Sequence, residues 1–110
     1  MDNHFKRVTD AESFKELLTR SKKHPVVIFK HSMTCPISAS VYNEMTQYDG
    51  DVALLEVQKA RELSREVENK TGVRHETPQV LVLRNGQAVW SASHWNVTAE
   101  AVRQAVRDSE

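Results

Sequence analysis

The chain has 110 residues, 39% hydrophobic and 27% charged, a length that suits one compact domain over residues 1–110. Fifteen Lys and Arg residues balance fifteen Asp and Glu residues. The chain therefore lacks the basic excess with which a general nucleic-acid binder displaces phosphate counterions, and its apolar runs are too short to span a bilayer.

The elements alternate. Phe5 to Val8 reads as a short strand. Thr9-Asp10-Ala11-Glu12 reads as a capping box with Thr9 as N-cap, and Phe14, Leu17, Leu18 and Ser21 follow on one helical face. Pro25 breaks this helix, and Val26-Val27-Ile28-Phe29 has the β-branched character of a strand buried on both faces. A helix then starts at Pro36, where a missing N–H costs nothing, and runs through Ser38, Val41, Tyr42 and Met45 to the Asp49-Gly50-Asp51 break. Val52 to Val57 is a further buried strand. Ala60, Leu63 and Val67 mark an amphipathic helix that Gly72 closes. After Thr77-Pro78, Gln79 to Leu83 and Gln87 to Ser91 flank Asn85-Gly86, a strong hairpin signal. The last helix covers about Ala99 to Arg107, with Thr98 as N-cap and Val97 stapled to Val102. The order β-α-β-α-β-α-β-β-α predicts an α/β domain whose mixed central sheet is flanked by helices.

Cys35 is the only cysteine. It excludes an intrachain disulfide, an intrachain dithiol pair and a cysteine zinc knuckle. It falls between a buried strand and a helix start, where α/β sheets bind ligands and where unpaired N–H groups and the helix dipole favour an anion. A free thiol titrates near ~8.5, and such a position can lower that value to ~3.5–7.5, which enlarges the thiolate fraction. A lone cysteine also reads as a small buried apolar residue. The polar neighbours Ser32, Thr34 and Ser38, and the helix start at Pro36, weigh toward the reactive reading.

The element order, the C-x-x-S at a helix start and Thr77-Pro78 before a hairpin resemble the thioredoxin superfamily. Within it, Thr34-Cys35-Pro36-Ile37-Ser38 is similar to the T-C-P-I-S motif of the monothiol bacilliredoxins, and the likeness covers nearly the whole chain. The resemblance implies that Cys35 is the catalytic nucleophile, with Thr34, Pro36 and Ser38 as its supporting motif. It implies a thiol–disulfide oxidoreductase that acts on mixed disulfides between proteins and bacillithiol. Bacillithiol is then a co-substrate, no cofactor is tightly bound, and the partners are bacillithiolated proteins, the small thiol itself and a reductase. Ser38 stands where dithiol relatives carry a resolving cysteine, so an outside thiol must resolve Cys35. Ser38 either hydrogen-bonds near the thiolate or is a plain polar helix residue. Thr77-Pro78 resembles the cis-proline site of these folds, which implies that Thr77 main-chain groups pair with substrate. Lys30 is either an anchor for a substrate carboxylate or a solvated strand-end lysine.

The remaining signals read as structure. Arg74 and His75 suit a solvated loop. His4, His24, His31, His75 and His94 show no metal-ligand spacing, so no metal is expected. Trp90 reads as core, and Trp95 as packed under the last helix. The expected protein is a cytoplasmic monomer that binds neither nucleic acid nor membrane. Two other functions fit a single cysteine: a monothiol glutaredoxin-like iron–sulfur cluster carrier, against which Pro36 counts because a Gly is common there, and a redox-inert interaction domain with a buried Cys35.

Overall fold

A computed structural model describes residues 4–110. The elements are β1 (Phe5–Arg7), α1 (Ala11–Arg20), β2 (Val26–His31), α2 (Pro36–Thr46), β3 (Val52–Glu56), α3 (Arg61–Thr71), β4 (Gln79–Arg84), β5 (Gln87–Ser93) and α4 (Ala99–Asp108), with a single 3-10 turn over His94–Asn96. The five strands lie in the order β1-β3-β2-β4-β5. β1, β3 and β2 run parallel, β4 pairs antiparallel with β2, and β5 pairs antiparallel with β4. This is the α/β architecture with a mixed sheet that the element order predicts.

Residues alternate between the two faces of the sheet, so each central strand feeds two cores. Val27 and Phe29 of β2 point with Val80 and Val82 toward Val41 and Met45 of α2 and Val102 and Ala105 of α4. Val26 and Ile28 point with Leu81 and Leu83 toward Phe14 and Leu17 of α1 and Leu63 and Val67 of α3. β2 and β4 are continuous apolar runs because they lie between neighbours in the sheet and under helices on both faces.

The first cap differs from expectation. Asp10, not Thr9, is the N-cap of α1, with extended backbone and Oδ1 accepting the Ser13 N–H at 2.9 Å. Thr9 and Asp10 are both cap-forming residues. The carboxylate adds a favourable charge at the positive helix end, and Asp10 is the residue three positions before the amide that needs an acceptor. Thr98 caps α4 as predicted, accepting from Ala101 N–H at 3.1 Å, and Val97 and Val102 share one core. Gly72 ends α3 in the left-handed region.

Asn85 and Gly86 both have positive φ, the geometry of the tight hairpin turn read from Asn-Gly. Buried Ser21, the C-cap of α1, holds this turn. Its carbonyl accepts the Asn85 N–H at 2.7 Å and Arg84 Nη1 at 3.0 Å, and its hydroxyl accepts the Gly86 N–H at 2.9 Å. The β2–β4 register pairs Val26 with Leu83 and Lys30 with Gln79. The turn therefore lies at one end of the sheet, and residues 77–78 lie at the other, where β2 leads to Cys35.

Candidate functional site

Cys35 is the N-cap of α2, with extended backbone, and Pro36 opens the helix. Its carbonyl accepts the Ala39 N–H at 3.2 Å, and its side chain is half-buried. Sγ closes no short capping hydrogen bond. The Ser38 N–H nevertheless holds the thiol below its ordinary pKa; partial burial opposes this, and the Ile37 N–H and Ser38 hydroxyl add to the lowering. These donors stabilise the charged sulfur and not the neutral thiol.

Ser38 is fully buried, and its Oγ accepts the Ser32 N–H at 3.3 Å while its hydroxyl faces Sγ. One side chain thus ties the approach loop to the nucleophile, so Ser38 is more than a polar helix residue. The loop has a second brace that sequence reading missed. Gln58 Oε1 accepts the Met33 N–H at 3.1 Å, and Gln58 Nε2 donates to Ser32 Oγ at 2.8 Å and to Thr34 Oγ1 at 3.2 Å. A glutamine in the short segment between β3 and α3 carries no distinctive sequence signal.

The Thr77–Pro78 peptide bond is cis. Pro78 is buried, and its carbonyl accepts the His94 N–H at 2.9 Å, which ties this segment to the 3-10 turn after β5. Among the described residues, no hydrogen bond engages the Thr77 main chain.

Lys30 is not solvated. Its side chain is 0% exposed, on the α1/α3 face of β2, and Nζ lies 3.2 Å from His75 Nδ1. Burial pushes its pKa down to about 8, against the opposing attraction of Glu68. His75 is exposed, as expected of a loop residue, and it is also anchored. Ser64 Oγ lies 3.1 Å from Nδ1, and the His75 N–H donates to Glu68 Oε2 at 3.0 Å. Burial, then the Lys30 charge, lowers the His75 pKa. A buried ammonium needs a partner, and His75, in the loop after α3, supplies it from far along the chain. Arg74 is exposed, as expected of a loop residue.

Two more readings change. Trp95 is 66% exposed and does not pack under α4. His94 before it takes φ +55°, and the 3-10 turn projects the indole outward. Trp90 is half-buried against the α2/α4 core. His31 is half-buried against the rings of Phe29 and Tyr42, and burial lowers its pKa. No helix among the described residues is long and apolar enough to cross a membrane.

Known structures share this fold. One, described as an oxidoreductase with a thioredoxin fold, is 33% identical, covers 94% of each chain and superposes with a TM-score of 0.86. The thioredoxin of Trypanosoma brucei brucei gives a TM-score of 0.75 at 16% identity, covering 94% of this chain and 88% of its own. The thioredoxin of Fasciola hepatica gives 0.74 at 12% identity, covering 96% and 99%. These two support the fold alone. The family model described as monothiol bacilliredoxin BrxC matches residues 6–102. With its thioredoxin-like fold and a single thiol at the head of α2, the chain belongs to the monothiol bacilliredoxin family, whose members are thiol oxidoreductases.

Proposed function

We propose that the protein reduces mixed disulfides between bacillithiol and protein thiols, with Cys35 as the sole protein nucleophile. The observation that carries this reading is the half-exposed thiol, its pKa lowered by the Ser38 and Ile37 amides, with a serine where a second thiol would stand. It also argues against a redox-inert domain, which calls for a buried Cys35.

The thiolate attacks the bacillithiol sulfur of the mixed disulfide. A bond forms from Sγ to that sulfur, the S–S bond to the target cysteine breaks, and the target leaves as a thiolate and takes up a proton. Cys35 now carries bacillithiol. The Ser38 hydroxyl cannot form a disulfide, so a second bacillithiol thiolate, or a reductase thiol, attacks the bound bacillithiol sulfur. It leaves with that bacillithiol as a disulfide, and the Cys35 thiolate returns. Thr34 and Pro36 set the loop and helix start around the sulfur. The open main chain of Thr77, beside Pro78, is a place for a substrate strand to pair. Lys30 acts in this reading as a buried charge behind the site and not as a direct anchor.

Mass spectrometry tests the reading. Exposure to oxidised bacillithiol and, separately, oxidised glutathione should place an adduct on Cys35, with bacillithiol preferred. A Cys35→Ala protein that still removed bacillithiol from a model substrate at full rate would refute it.

A further inference from the structure

A pocket of about 320 Å³ opens on α3, lined by Gln58, Arg61, Ser64, Arg65, Glu68 and His75. Residues 61, 64, 65 and 68 form one stripe of the helix, because they are spaced by three and four. Arg61 and Arg65 are like charges four residues apart, which destabilises a helix unless something neutralises them. Among the described residues, neither guanidinium has a carboxylate within 4.0 Å. The one acid in the stripe, Glu68, is engaged by the His75 N–H. Lys30 adds a buried ammonium behind His75. Because His75 Nδ1 accepts from Lys30 and faces Ser64, the ring proton belongs on Nε2, a donor with no partner among the described residues.

The pocket shares one side chain with the loop that precedes the nucleophile. Gln58 lines it, and the same side chain holds the 32–34 loop through Met33, Ser32 and Thr34. We propose that this pocket is the subsite for the carboxylate-bearing arm of the low-molecular-weight thiol, with Arg61 and Arg65 pairing its carboxylates while its sulfur meets Cys35. Bacillithiol carries such an arm, a malate. Guanidinium forks pair carboxylates in a planar, two-bond geometry, and the pocket is of the size that small ligands occupy. This inference rests on the reading of bacillithiol as co-substrate, and its test separates the two.

The test uses the full chain and one model peptide carrying either a bacillithiol or a neutral 2-mercaptoethanol mixed disulfide. In Arg61→Gln/Arg65→Gln the ratio of kcat/KM for the first over the second should fall on the order of tenfold, mainly through KM. A wild type that favours the bacillithiol adduct and a variant with an unchanged ratio would overturn the subsite. A wild type with no such preference would overturn the co-substrate reading instead. L-malate titration followed by amide NMR decides the pocket independently of turnover. Shifts confined to Gln58, Arg61, Ser64, Arg65 and His75, and lost in the double variant, support it. Shifts elsewhere, or none at millimolar L-malate, overturn it.

Discussion

Replacing Lys30 with methionine should stabilise the protein, and by an amount that depends on pH. Lys30 is 0% exposed, and burial lowers its pKa from 10.5 to about 8. The unfolded chain keeps the ordinary value, so between these limits the unfolded state binds more protons and wild-type stability rises with pH. Below pH 8 both states are charged and the folded state carries the whole burial cost. At about 1.4 kcal/mol for each tenfold change in proton affinity, that cost is about 3 kcal/mol at pH 7 and about 1 kcal/mol at pH 10. Lys30→Met removes it, and His75 Nδ1 keeps Ser64 Oγ as a neighbour. Urea unfolding of both proteins at the two pH values gives the comparison. The methionine variant should gain about 2 kcal/mol more at pH 7 than at pH 10, and packing changes cancel in that difference. An equal gain at both pH values would show that the ammonium is not held in the buried, suppressed state that the structure gives it.

Ser38→Ala should raise the Cys35 pKa, because it removes the hydroxyl that faces the sulfur, and should slow alkylation by iodoacetamide at neutral pH. It also strips the Ser32 N–H of its acceptor, so stability should fall by about 1–3 kcal/mol in urea. Asp10→Ala should cost about 1 kcal/mol by thermal unfolding, and Thr9→Ala far less, since only the carboxylate caps α1. Asn85→Lys puts a bulkier residue at φ +56° and should cost about 1 kcal/mol. It should leave turnover unchanged, because the turn is at the far end of the sheet from Cys35.

Much of the fold was legible because its signals are local. β-branched runs mark β2 and β4, Asn85-Gly86 sets its own turn, and Thr98 lies three residues before the amide it caps. Where two cap-forming residues adjoin, as at Thr9-Asp10, local reading cannot rank them. Cys35 and Ser38 were legible as a motif, since the helix start is itself local. The surroundings were not. Lys30 meets a partner 45 residues away, and Gln58 reaches back 24 to 26 residues to the loop. Such pairings depend on the sheet order, which brings β3, β2 and β4 side by side. Trp95 was misread because its exposure follows from the backbone of His94, and nothing in a histidine announces positive φ.

A hairpin tip is usually the first part of a sheet to open and exchange its amide hydrogens. Here the Asn85 and Gly86 N–H groups donate to Ser21, which lies beneath them at 0% exposure and whose hydroxyl reaches back to the Leu18 carbonyl at 2.6 Å. The turn therefore cannot open without releasing the last turn of α1. These two amides should exchange together with the end of that helix, as one cooperative unit spanning residues far apart in the chain.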